Sequence, residues 1–182
     1  MKTIIFLLTG LLLFTGCSNK PQVVIVTSQG TIELELDGDA APKHTANFVK
    51  LVEEQFFVGT TFHRVEPGFV IQGGDPNSKD SDRTNDGRGG PDYRIDAEIG
   101  LKHLYGSIGA ARLPDRVNPE KQSNASQFYI CLKDLPGLDR GGYTVFGKVV
   151  AGMDIVEKIS RVPADNYNNP VNPVIMERVY VK

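Results

Sequence analysis

An arginine and a glutamine flank a Pro-Gly turn at a spacing that would let both side chains act on one small acceptor group. Arg64 and Gln72 lie on either side of Pro67-Gly68-Phe69. If this turn closes a hairpin, the two residues pair directly across it, and facing side chains on neighbouring strands lie about 5 Å apart. A guanidinium stays charged and presents a rigid fork of donors. The pattern therefore predicts a guanidinium that Gln72 orients as a hydrogen-bond donor; the alternative is a solvated surface charge.

Other kinds of catalytic site lack the residues they would need. A nucleophile elbow requires Gly-x-Ser-x-Gly, and Tyr105-Gly106-Ser107-Ile108-Gly109 lacks the first glycine. The three histidines have no short ligand spacing, and the two cysteines, Cys17 and Cys131, are too few for a thiolate zinc site or a disulfide framework. Cys131 lies in an apolar run and is interpreted as a core residue. We expect no metal and no cofactor.

Composition and charge exclude further kinds of partner. The chain has 182 residues, a length typical of a single domain, and 40% of them are hydrophobic. Lys and Arg number 20 against 22 Asp and Glu, so the net charge is -2. This balance lacks the basic surface that a nucleic acid requires, and no nucleic-acid partner is expected.

The elements that must position these side chains are predicted to be mostly strands. Short β-branched or alternating runs bounded by turn residues predict strands at 23–27, 31–36, 60–65, 69–72, 105–111, 126–132, 143–150 and 174–181. Apolar residues at helical spacing after Pro42 predict a first helix, with His44 on its surface, and a second helix is predicted at 152–160. Many short strands with two isolated helices favour a mainly β fold, a closed barrel capped by helices.

The N-terminus is interpreted as a targeting sequence. An apolar run from Ile4 to Phe14 follows Lys2 and is shorter than the about 20 residues that span a bilayer, so it predicts a signal peptide. Phe14-Thr15-Gly16-Cys17 resembles a bacterial lipobox, which predicts cleavage before Cys17 and lipidation of its thiol. The alternative is an ordinary secretory signal with an incidental cysteine. The predicted segments are a lipoprotein signal peptide at 1–16, a lipidated tether at 17–22 and a folded domain at 23–182, held on a membrane of the bacterial cell envelope outside the cytoplasm.

Several ordered motifs resemble one known family. The run from Phe62 to Asp75 resembles the cyclophilin signature. Further matches lie on both sides of this run, in the order of the family. They are Pro42-Lys43, Asn47-Phe48, Leu101-Lys102-His103, Gly106-Ser107-Ile108-Gly109-Ala110, Ser126-Gln127-Phe128-Tyr129-Ile130, Val145-Phe146-Gly147-Lys148-Val149 and Gly152-Met153. The resemblance spans roughly residues 22–182. It implies a closed eight-stranded antiparallel β-barrel capped by two α-helices, and peptidyl-prolyl cis-trans isomerase activity on proline-containing polypeptides.

The resemblance also implies a set of site residues. Arg64, Phe69 and Gln72 correspond to catalytic positions. The substrate-binding positions correspond to Val70, Gly109, Ala110, Ala111, Gln127, Tyr129, Leu138 and Tyr143. Amide rotation is opposed by a resonance barrier of about 18–20 kcal/mol and makes or breaks no bond. Such a reaction needs no nucleophile, and a cation beside the twisting nitrogen would favour its transition state.

The sequence departs from the family pattern in four places. Tyr129 replaces the usual Phe, which predicts a hydroxyl at the pocket rim, and Val70 replaces a longer Met. Gly137 stands where many relatives have a Trp that holds cyclosporin, so weak cyclosporin binding is expected. The polar segment 113–122 is an insertion that is predicted to remodel one wall of the groove.

Two other functions remain open on the sequence alone. The first is a membrane-tethered module that binds proline-containing segments, or acts as a holdase, with little turnover. The presence of Arg64 argues against it, since a pure binder has no use for a transition-state cation. The second is a small-ligand barrel, whose hollow interior disagrees with the core-sized apolar residues on these strands. An isomerase is favoured, assisting the folding of exported proteins.

Overall fold

Nine strands, three α-helices and one short 3-10 helix make up residues 20–182, the part of the chain that the computed structural model describes. The strands are β1 Gln22–Thr27, β2 Gly30–Leu36, β3 Arg64–Glu66, β4 Val70–Gly73, β5 Arg94–Ile95, β6 Ser107–Arg112, β7 Ser123–Cys131, β8 Val145–Ala151 and β9 Met176–Val181. The α-helices are α1 Pro42–Glu53, α2 Pro136–Gly141 and α3 Met153–Ser160, and the 3-10 helix is Pro76–Lys79. The predicted signal peptide and Cys17 lie outside the described residues.

All strands belong to one strongly curled antiparallel sheet, in the order β3-β4-β7-β6-β8-β2-β1-β9, with β5 paired to β7 beside this path. The predicted closed eight-stranded barrel needs correction, because the sheet has nine strands and remains open between β3 and β9. β3 is only three residues long. The chain before it meets the start of β9 through an isolated bridge between Thr61 and Ile175, and no ladder continues across this gap.

The concave face of the sheet is filled by apolar side chains, as the strand and helix periodicities predicted. Ile32, Leu34 and Leu36 alternate into the core from β2 and are fully buried. The stripe of α1 is buried as well, and Phe48 packs edge-on against Phe128 of β7, with ring centroids 5.4 Å apart. This packed interior removes the small-ligand barrel from consideration, since that function needs a hollow one.

His44 is buried, and the prediction that it lies on the helix surface is wrong. The segment before β6 crosses the N-terminus of α1, where Glu98 accepts hydrogen bonds from the backbone N–H groups of Lys43 and His44, each at 3.0 Å. The His44 ring bridges Glu98 at 2.6 Å and Ser123 at 2.9 Å. Burial lowers the pKa of His44. Its polar ring is tolerated in the interior because both nitrogens have partners.

Residues 74–93, between β4 and β5, form a long loop that is irregular apart from its short 3-10 helix. Asp75 is fully buried at the start of this loop and accepts hydrogen bonds from the backbone N–H groups of Asn77 and Gly89, at 2.8 and 3.2 Å. Asn124 of β7 donates to the Gly89 carbonyl at 3.0 Å. These bonds hold the loop against β7 and the end of β4. No helix of residues 20–182 is long and apolar enough to cross a membrane.

Candidate active site

The hairpin of β3 and β4 brings Arg64 and Gln72 into direct register, as their spacing predicted. Nη1 of Arg64 donates a hydrogen bond to Oε1 of Gln72 at 3.0 Å. The Arg64 guanidinium also lies beside the Phe69 ring, 5.8 Å from its centroid. The Pro67-Gly68 turn makes this pairing possible, because Gly68 adopts a φ of 70° that favours glycine.

Glu66 fixes the Arg64 guanidinium from its other side, a contact that the sequence analysis did not identify. Both Nε and Nη2 of Arg64 donate to Oε1 of Glu66, at 2.9 and 2.6 Å. Asn168 donates to the same oxygen at 3.2 Å. The sequence could have shown this contact, because Arg64 and Glu66 are two apart just before the predicted turn, and residues two apart on a strand share a face. The guanidinium plane is therefore set by two partners, while its side chain keeps 38% of its surface exposed.

Most of the predicted site residues line one open cavity of about 870 Å³ on the outer side of the sheet. We call it the site cavity; the predicted residues in its wall are Arg64, Phe69, Val70, Gln72, Ala111, Tyr129, Leu138 and Tyr143. A small apolar cluster separate from the main core forms its floor, centred on Val70, Tyr129, Cys131 and Leu135. Cys131 is completely buried there, as predicted, and burial raises the pKa of its thiol to about 12. The cavity thus places an apolar pocket beside a fixed cation.

The Tyr129 hydroxyl is buried under the pocket, so its predicted position at the rim is wrong. It lies 2.8 Å from Nε2 of His103, and Nδ1 of His103 lies 2.8 Å from Oδ1 of Asp139. Burial lowers the pKa of His103 and raises that of Tyr129. A neutral imidazole fits both contacts, with Nδ1–H donating to the carboxylate and Nε2 accepting from the hydroxyl. The chain of three side chains fixes the Tyr129 ring as a pocket wall.

Three predicted substrate-binding residues lie behind the cavity wall. Gln127 is buried; it accepts a hydrogen bond from Nε2 of Gln72 at 3.0 Å and donates to the Gly89 carbonyl at 2.8 Å. It therefore positions Gln72. At Gly109 any Cβ would collide with the Tyr129 ring, and Ala110 belongs to the main core.

The insertion at 113–122 supports one cavity wall through Arg112, a residue that the sequence analysis missed. Arg112 lies over the Tyr143 ring, with its Cζ 4.2 Å from the centroid. Asp115, inside the insertion, forms an ion pair with Arg112 at 2.7 Å. The Arg112 side chain is only 3% exposed. Arg112 is therefore held against Tyr143 at the side of the groove.

The rest of the site cavity comes from the residue before β3 and from two loops that carry no periodic pattern. It is lined by His63, Arg83, Thr84, Asp86, Gly87, Arg88, Asp165, Tyr167 and Asn169. His63 is buried, and burial lowers its pKa. Across residues 20–182, no group of three or more His, Cys, Asp or Glu side chains is placed to hold a metal ion.

Comparison with known proteins identifies the class that this fold and site define. A family model described as cyclophilin type peptidyl-prolyl cis-trans isomerase/CLD matches residues 22–181. Two bacterial relatives are a peptidyl-prolyl cis-trans isomerase A of Dickeya dadantii, 40% identical over 89% of this chain and 85% of that protein, and a peptidyl-prolyl cis-trans isomerase of Acinetobacter baylyi, 35% identical over 100% and 96%.

Solved structures agree with the sequence matches. A Cryptosporidium parvum cyclophilin type peptidyl-prolyl cis-trans isomerase has a TM-score of 0.79 and 30% identity, covering 90% of this chain and 98% of that one. A second structure of it, in the presence of the dipeptide Ala-Pro, has a TM-score of 0.77. The chain belongs to the cyclophilin-type peptidyl-prolyl cis-trans isomerase family.

Proposed function

We propose that this chain catalyses rotation about Xaa-Pro peptide bonds with Arg64 as the transition-state donor. The observation that carries the proposal is the guanidinium fixed between Gln72 and Glu66 at the edge of an apolar pocket. When an amide twists, its nitrogen pyramidalises and gains a lone pair that accepts a hydrogen bond. A donor aimed at that nitrogen stabilises the twisted state more than either planar state, which is what lowers the barrier.

The ion pair with Glu66 decides which property of Arg64 matters. A nearby carboxylate offsets most of the charge that a substrate would feel, but it leaves N–H groups of Nη1 and Nη2 free to donate. Directed donation is therefore the principal contribution, and bulk positive charge is secondary. Lysine cannot reproduce it, because an ammonium lacks the planar fork that two acceptors hold in one orientation.

The remaining cavity residues bind the planar substrate. The proline ring is proposed to occupy the apolar pocket of Phe69, Val70, Tyr129 and Leu138. Ala111 supports docking of an extended peptide, because a bulge between Ala110 and Arg112 leaves it without a partner in the β6–β7 ladder. Its backbone groups are available to a substrate strand, and its small side chain lets that strand approach closely.

The place of action is also a proposal. Lipidation of Cys17 would tether the domain of residues 23–182 to a membrane of the cell envelope, where exported proteins fold. The apolar run at 4–14 and the small residues before Cys17 support this. A tethered module that binds proline segments without turnover is the alternative, and the preorganised Arg64 favours the enzyme.

The test is cis-to-trans relaxation of Xaa-Pro peptides with the purified protein. Uncatalysed isomerisation takes tens to hundreds of seconds, and we expect clear acceleration that a chelator leaves unchanged. Peptide binding without acceleration would establish the binding module. Loss of activity in chelator would contradict the proposed mechanism.

A further inference from the structure

Four arginine side chains line the site cavity, although the net charge of the whole chain is -2. They are Arg64, Arg83, Arg88 and Arg112. Two carboxylates, those of Asp86 and Asp165, line the same cavity. The balance of charge that a bound peptide meets depends on which of these arginines already have a partner.

Three of the four arginines are neutralised by ion pairs. The pairs are Arg64 with Glu66 at 2.6 Å, Arg83 with Asp165 at 3.0 Å and Arg112 with Asp115 at 2.7 Å. The exposed side chain of Arg88 forms no ion pair or hydrogen bond with any residue between 20 and 182. Asp86 is engaged elsewhere, accepting a hydrogen bond from Asn169 at 2.6 Å. Arg88 is thus the cation of this wall that a ligand can still pair with.

The loop that carries Arg88 is connected to the catalytic arginine through side-chain amides. Gln72, which accepts from Arg64, donates to Gln127 at 3.0 Å, and Gln127 donates to the carbonyl of Gly89 at 2.8 Å. The backbone N–H of Arg88 donates to the Asn85 carbonyl at 3.2 Å. The backbone of Arg88 is therefore held at a set place relative to Arg64.

We propose that Arg88 gives the enzyme a preference for substrates that carry Asp or Glu close to the proline. This inference rests on the proposed isomerase function, because it places the substrate proline beside Arg64. Residues next to that proline then cross the same cavity, since an extended chain advances about 3.3 Å per residue. A substrate carboxylate matches the guanidinium fork and would form an ion pair with Arg88, the cavity arginine that has no partner among residues 20–182.

The experiment compares matched proline peptides with Glu, Gln or Lys at each of the two positions before and the two after the proline. Both kcat/KM and Kd are measured on the native protein, on Arg88→Glu and on Arg178→Glu. Arg178→Glu is the control, because it makes the same change in net charge. Arg178 is exposed on β9 and does not line the cavity. At one position or more, we expect the native protein to bind and turn over the Glu peptide roughly two- to ten-fold better than the Lys peptide. This is the size expected for an exposed ion pair compared with a repulsive pair.

Arg88→Glu should reverse this order, and Arg178→Glu should keep it. The preference should also shrink in about 1 M salt, where the Debye length is about 3 Å. Equal affinity for the Glu and Lys peptides at every position, or an order that survives Arg88→Glu, overturns the inference even when turnover is normal. Absence of turnover with a retained preference in Kd would refute the proposed activity and still support the role of Arg88.

Discussion

Tyr129→Phe isolates the contribution of a single buried hydroxyl. The ring that forms the pocket wall remains, but Nε2 of His103 loses the partner that now lies at 2.8 Å. The His103 side chain has no exposed surface, so water cannot easily replace that partner. Leaving a buried acceptor unpaired costs about 1–3 kcal/mol. For a domain of this size, that corresponds to a melting temperature lower by about 2–12 °C.

The assay is denaturant unfolding together with turnover of a neutral proline peptide. We expect a lower free energy of unfolding for Tyr129→Phe and turnover within a few-fold of the native value, because the pocket keeps its aromatic wall. Tyr180→Phe is the control, since Tyr180 is 43% exposed on β9 and its hydroxyl bonds to no described side chain. His103→Leu combined with Tyr129→Phe should cost less than the two single changes added together. Unchanged stability, or a tenfold loss of turnover without a stability change, would refute the structural role assigned to this hydroxyl.

Three further predictions concern the tether, an inhibitor and acid. Cys17→Ser should leave isomerase activity intact and move the protein from the membrane fraction to the soluble fraction; lipid incorporation that persists would contradict Cys17 as the anchor. Without an indole contact, cyclosporin should inhibit roughly 30- to 1,000-fold more weakly than it inhibits Trp-containing relatives. Gly137→Trp should strengthen inhibition, because a Cβ there meets only the Arg140 side chain at 4.0 Å; nanomolar inhibition of the native protein would show that another residue supplies the contact. Burial lowers the pKa of His44, His63 and His103. The unfolded chain therefore binds more protons, and the free energy of unfolding should fall as pH drops below about 6.5; urea midpoints that stay constant from pH 7.5 to about pH 5 would contradict this.

Features set by local spacing could be predicted from the sequence. The Pro67-Gly68 turn fixes the register that pairs Arg64 with Gln72, because a hairpin register follows from its turn. Strand alternation likewise places Phe128 and Tyr129 on opposite faces of β7, and in the structure Phe128 faces the main core and Tyr129 the pocket. Both conclusions needed only residues close together in the chain.

Features that depend on loops and distant contacts could not be predicted. Burial of His44 depends on Glu98, which lies 54 residues further along the chain. The far wall of the cavity comes from Arg83 and Tyr167 on irregular segments, for which periodicity gives no position. Closure of the barrel depends on how the first and last strands of the sheet approach each other, and a strand pattern does not contain that distance.

The central claim is that Arg64 acts mainly on the transition state, and one variant measures it directly. Arg64→Ala should fold normally, because the side chain is partly exposed and belongs to no core cluster. Turnover should fall by about 10²–10³-fold, the effect of deleting one preorganised donor. Arg64→Lys should restore little of it.

The measurement is isomerisation rate and proline-peptide affinity on the same preparation of Arg64→Ala, with Phe69→Ala beside it. Affinity should change little in Arg64→Ala, since a planar amide does not need that donor, whereas Phe69→Ala should weaken affinity and turnover together. A large loss of turnover at nearly native affinity is the result we predict. Near-normal turnover in Arg64→Ala would contradict the mechanism and favour a protein that only binds proline segments.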